Sequence, residues 1–191
     1  MNDRMHYHGE EKMICLNFFG GAGIGKSTLA AKTYATLKEL GYRVEQTGEY
    51  AKELVYENSM RVIRDQLYLF AEQEHRLRCL EESGVEIAVC DSPTPLSIVY
   101  DRDKDPVLAT LIMKRFEHYQ NINFIIQRDD SMFREDDRID TLRSASLKDL
   151  EIEQLLRSYG DKYFAVDPGD IDTVMKHFRL NYEKLKEDLI A

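Results

Sequence analysis

Apolar residues along this chain follow two rhythms. Short runs at Met13–Phe19, Tyr42–Thr47, Val85–Cys90, Asn123–Gln127 and Tyr163–Val166 have the length expected of buried strands. Between them, apolar positions recur at helical spacing. Leu29, Ala30, Leu37 and Leu40 do so over 26–40, and Ile63, Leu67, Phe70 and Leu77 over 60–82. A last helix carries Ile171, Val174, Phe178, Tyr182, Leu185 and Leu189. A shorter helix is expected over 49–57. Another starts at Asp105-Pro106, where an N-cap carboxylate precedes a first-turn proline, and runs to Gln120. Ser146 is expected to cap a helix to Tyr159, with Asp149 in a capping-box-like place, and Gly41, Gly84 and Gly160 supply stops. The stretch 128–145 is charged and has no clean period. Strands alternating with helices predict an α/β fold. Its sheet is parallel and covered on both faces, because parallel strands need crossover helices. Ligands of such sheets bind beyond the strands' carboxyl ends.

The junction of the first strand and first helix reads Gly20, Gly21, Ala22, Gly23, Ile24, Gly25, Lys26, Ser27, Thr28. It matches G-x-x-x-x-G-K-[ST] in the strand-before, helix-after setting that gives the pattern meaning. A loop that turns its amides onto one anion needs unusual backbone angles and close approach, so side chains are excluded. The helix that follows presents its positive end to the same anion. These nine residues are therefore expected to bind ATP, with Lys26 reaching the β- and γ-phosphates and Ser27 ligating Mg²⁺.

Phosphoryl transfer also needs a carboxylate for the metal, cations for the migrating charge and a positioned acceptor. Asp91 ends the third strand and should lie beside the glycine loop. Two roles are open to it: orienting Mg²⁺ through water, or taking the proton of an acceptor hydroxyl. Glu49, after the second strand, is a candidate for that base, for a substrate hydrogen bond, or for a plain first-turn acid. Arg128, Arg134 and Arg138 lie where a closing lid over 128–147 would deliver cations to a γ-phosphate. On the 60–82 helix, Gln66 and Gln73 could read a base edge. Arg61, Arg64 and Arg76 are candidates for an acceptor's own phosphate. The "VDPGD" stretch after the last strand is expected to wall the nucleobase of ATP.

Composition narrows the partners. A net charge of -9 argues against a broad grip on nucleic acid or on an anionic membrane. The three cysteines form no CxxC pair and read as reduced, buried thiols of a cytoplasmic protein. No apolar run approaches the length of a membrane span. Residues 1–12, with His6 and His8, read as a flexible tail before a single domain over 13–191. The expected partner is a small nucleoside or nucleotide; a homodimer is left open.

The P-loop, "GEYAKELVYE", "IAVCDSP", "FIIQRDD" with "FREDDR", and "ASLKDLEIEQLL" come in the order found in small P-loop kinases. The chain resembles the P-loop ATPase/kinase group that includes the ribosylnicotinamide kinase domain of bifunctional NAD-biosynthetic regulators, over residues 13–180. The resemblance implies a five-stranded parallel sheet in the order 2-3-1-4-5, Mg-ATP as donor, a mobile lid, and an acceptor held between Glu49 and Asp91. The sequence departs from that domain's D-T-D at the third strand's end: here it is "DSP", with Pro93 replacing the second acid. The leading expectation is a kinase acting on a nucleoside or nucleotide. Alternatives are a kinase for a modified base within DNA and a regulatory ATPase switch.

Overall fold

All six residues of β1 (Ile14–Phe19) are buried, so the sheet has to be covered on both faces. The computed structural model describes residues 12–132, 141–160 and 162–188. In it β1 pairs in parallel with β3 (Ile87–Cys90) on one side and β4 (Gln120–Ile126) on the other. β2 (Val44–Thr47) extends the sheet beyond β3, and β5 (Tyr163–Val166) beyond β4. The result is a five-stranded parallel sheet of order β2-β3-β1-β4-β5, as the resemblance implies. Gly20 and Asp91 thus leave the carboxyl ends of adjacent strands, where open α/β sheets hold their ligands.

Helices α1 (Lys26–Glu39) and α8 (Ile171–Asp188) cover one face, where Leu29, Leu37, Val174 and Phe178 pack on Leu16, Phe18 and Phe124. Phe18 stands in register with Phe124, and their rings stack at 5.3 Å. Such a pair contributes roughly 0.5–1.5 kcal/mol beyond its buried area. On the other face α6 (Pro106–Phe116) and α7 (Leu142–Ser158) bring Met113, Phe116, Ile152 and Leu156 onto Phe19 and Ile125. A polar ladder crosses the centre. Asn17 donates to Asn121 at 2.9 Å and Asn123 at 3.0 Å, so its buried amide keeps its hydrogen bonds. Among the described residues no helix is long and apolar enough to cross a membrane.

Several elements differ from the sequence expectation, each for a local reason. The helix expected over 60–82 is two: α3 (Met60–Ile63) and α4 (Gln66–Glu82). Asp65 breaks it, because its carboxylate accepts from the Tyr68 N–H at 3.1 Å and starts a new helix. The buried face of α4 is consequently rotated to Gln66, Leu69, Phe70, Gln73, Glu74 and Leu77, and Leu67 is exposed. Short α2 (Tyr50–Tyr56) falls where expected, but α5 (Leu96–Tyr100) was hidden by the prolines before it. α7 starts at Leu142 under a Thr141 cap, which accepts from Ser144. Ser146 instead bonds back to the Leu142 carbonyl inside the helix. The last six residues of the supposed lid, 142–147, are therefore helix, and 133–140 lies outside the described residues. Of the cysteines, Cys15 and Cys90 are buried while Cys79 is exposed. The N-terminal residues 1–11, with both histidines, lie outside the described residues as well.

Candidate active site

The glycine loop joins β1 to α1 through Gly25, which stands at the α1 N-cap with φ 94° and carries no side chain to cap the helix. A non-glycine residue there would pay for the left-handed conformation, and any capping side chain would occupy the amides the helix offers to an anion. No acidic residue sits in the first turn of α1 to neutralise that end. Lys26 turns back and donates to the Gly21 carbonyl at 2.8 Å. Burial lowers its pKa, against the opposing pull of the Glu49, Asp91 and Asp149 carboxylates. Pro168, of the "VDPGD" stretch, lies 3.8 Å from where a Gly25 Cβ would stand. The loop after β5 therefore does flank the start of α1.

Asp91 is buried at the end of β3, and its Oδ1 has no hydrogen-bond partner among the described residues. Its pKa is raised, first by burial and then by the negative charge of Glu49; the Ser27 hydroxyl, Lys26 and Lys52 act in the opposite direction. An orphaned carboxylate oxygen beside a serine hydroxyl has the chemistry of a divalent-cation site. Among the described residues no group of three or more His, Cys, Asp or Glu could cage a metal. Ser27 and Asp91 are the residues that could hold a cation here.

Glu49 precedes α2 as its N-cap residue with extended backbone, yet its side chain makes no capping bond. Glu49 lines a cleft of about 530 Å³ that also takes in the glycine loop with Lys26, Ser27 and Thr28. The cleft continues between Tyr50, Tyr56 and Tyr100 to Leu69 and Gln73. Gln73 is buried, and its Nε2 has no partner among the described residues. Gln66 also lines the cleft but donates to the Ile63 carbonyl at 2.9 Å, closing the α3–α4 break.

The arginines fall elsewhere. Arg76 donates to both Glu53 oxygens, at 2.9 and 3.1 Å, and to Glu72, and its guanidinium stands 4.9 Å from the Tyr50 ring centroid. It ties α2 to α4 and does not line the cleft. Arg128, expected on the substrate, packs behind the glycine loop, donating to Asp149 and to the Ala22 carbonyl. Arg134 and Arg138 lie outside the described residues.

Lys52 and Tyr100 also line the cleft, and Asp149 abuts the glycine loop, none of them expected there from the sequence alone. Asp149 had a visible signal. Ala145, Asp149, Ile152 and Leu156 follow a four-three-four spacing, which puts an acid in the apolar stripe of α7.

Among solved structures, the chain is similar to deoxyadenosine kinase from M. mycoides with products dCMP and a flexible dCDP bound. The identity is 18%, with a TM-score of 0.49, covering 91% of this chain and 98% of that one. The same enzyme with bound dATP gives 19% and 0.49, over 90% and 99%. The crystal structure of APE1195 gives 19% and 0.45, over 93% and 97%. No curated protein sequence matches the chain. Identities this low leave the chemistry to be read from the residues. The AAA domain family matches residues 15–173. That span runs from β1 into the first turn of α8 and takes in the glycine loop, Glu49, Asp91 and Asp149: the chain belongs to the AAA domain family.

Proposed function

We propose that the protein is an ATP-dependent phosphotransferase that moves the γ-phosphoryl group of Mg-ATP onto a hydroxyl of a nucleoside. The observation that carries this reading is the continuity of the cleft. The glycine loop, Glu49 and Gln73, whose Nε2 has no partner among the described residues, line one space, so a donor at the loop and a planar acceptor among the tyrosines would meet at Glu49.

The division of labour follows from placement. Lys26 and the α1 amides hold the β- and γ-phosphates and balance their charge as it redistributes. Glu49 lines the cleft without a capping bond, which suits its carboxylate to accept the acceptor hydroxyl's proton. The hydroxyl oxygen then bonds to the γ-phosphorus as the bond to the ADP oxygen breaks. Asp91, deeper and beside Ser27, suits the metal role, and magnesium held there would supply charge neutralisation at the phosphates. Gln73 offers a donor and an acceptor to a base edge, between aromatic walls that suit a planar ring.

Among the described residues the cations lining the cleft are Lys26 and Lys52 and no arginine lines it, which favours a nucleoside over a nucleotide. Pro93, in the cleft wall, also leaves one carboxylate fewer for a cationic ring such as that of nicotinamide riboside. Incubation with labelled ATP and a panel of nucleosides and monophosphates tests the reading. Label on a nucleoside supports it, and label appearing only as free phosphate points to a regulatory ATPase instead.

A further inference from the structure

Gly21 is gripped at both ends. Its N–H donates to Asp149 Oδ1 at 2.5 Å, and its carbonyl accepts from Lys26. The other Asp149 oxygen accepts from Arg128 Nε, whose Nη2 donates to the next carbonyl of the loop, Ala22, at 3.0 Å. The two side chains are only 9% and 20% exposed. There is no slack at the junction. A Cβ on Gly21 would stand 2.7 Å from the Ala145 carbonyl, 2.9 Å from Asp149 and 3.1 Å from Arg128.

A part-buried carboxylate against an anion-binding loop is electrostatically the wrong sign. It would repel a triphosphate through a low-dielectric medium unless its charge were cancelled on the spot. Arg128 is placed to cancel it. We propose that Arg128 and Asp149 form a charge-neutral brace that fixes the Gly21 backbone on which Lys26 docks, and so sets the affinity of the loop for a nucleoside triphosphate. Neither residue lines the cleft, so they are a positioning pair acting through Gly21 and Lys26. The inference rests on the nucleotide-binding part of the function proposed above.

The brace predicts signs that a merely structural ion pair does not. Arg128→Met leaves the Asp149 charge beside the loop and should weaken Mg-ATP binding by about tenfold or more, the equivalent of 1.4 kcal/mol. Asp149→Asn keeps a carbonyl acceptor for the Gly21 N–H and removes the charge. It should bind within about threefold of wild type, or tighter. Adding Asp149→Asn to Arg128→Met should recover most of the lost affinity.

The test is titration calorimetry of the full chain with Mg-ATP, read beside thermal melts of the same variants. If Arg128→Met binds like wild type, or the double variant binds no better than Arg128→Met, the brace is overturned. So is it if affinity merely follows melting temperature across the set. Should Arg128→Met not fold, Arg128→Lys replaces it: near-wild-type affinity despite the lost fork supports charge cancellation, and a tenfold loss overturns it. No heat from the wild-type protein overturns the nucleotide reading and this inference together. Binding that is indifferent to Arg128 overturns the brace alone.

Discussion

The two ends of the cleft are built on opposite principles. At the donor end the polar groups already have partners within the protein: Lys26 on Gly21, Gly21 on Asp149, Arg128 on Ala22. At the acceptor end they do not. Gln73 Nε2 is buried there without a hydrogen-bond partner among the described residues, a cost of about 1–3 kcal/mol that a ligand would relieve; Asp91 Oδ1, between the two ends beside Ser27 and Glu49, is likewise orphaned. The donor end comes from one continuous segment plus a brace, so it can be rigid before anything binds. The acceptor end is assembled from α2, α4 and α5, and is finished only when something fills it.

The largest expected effect breaks the donor end. Lys26→Ala should reduce transfer by about 10²–10³ or more, the range for losing one charge-stabilising donor, measured as label transferred from ATP. Glu49→Gln strikes the meeting point. It should lower kcat by about 10²-fold, the lower end for a lost general base, with little change in Mg-ATP affinity; a loss of ATP affinity with normal kcat would reassign Glu49 to the donor end. Gln73→Leu strikes the acceptor end alone. The acceptor KM should rise by about 10–200-fold, the range expected for 1–3 kcal/mol of lost recognition, while the melting temperature holds or rises because an orphaned amide is gone.

Asp91→Asn separates stability from activity. The folded pKa of Asp91 lies above its unfolded value, so the folded state binds more protons and stability falls as pH rises from the ordinary carboxylate range through the folded pKa. Removing the charge should therefore raise the melting temperature at neutral pH, by about 2–4 °C per kcal/mol relieved, while turnover drops. The gain should shrink in melts at pH below the folded pKa, where the wild-type carboxyl is already neutral. The smallest effect lies outside the site. Asp65→Ala removes the α4 cap at a cost of about 1 kcal/mol, lowering the melting temperature by about 2–4 °C.

Legibility in the sequence followed the range of the interactions. The P-loop was readable because every constraint on it is local: a buried strand, glycines for the backbone, a lysine and a hydroxyl at the helix start. The five strands were readable from short apolar runs for the same reason. The α3–α4 break was not. Asp65 looks like an ordinary exposed acid until its carboxylate caps the next helix, and that break turns Leu67 outward and Gln73 inward. Arg76 and Arg128 were assigned by charge and chain position, but charge does not say which carboxylate is nearer. Glu53 and Glu72 hold the first, and Asp149 the second.

By itself, then, the sequence determined the parallel α/β sheet, the glycine loop at the tip of β1 and the two acids at the ends of β2 and β3. Period and backbone chemistry are written residue by residue. Only the tertiary structure decided that α7 would lay Asp149 against Gly21, and that α2, α4 and α5 would leave Gln73 facing an aromatic cleft. Those pairings depend on packing between segments up to 128 positions apart, and no local pattern encodes which side chain meets which.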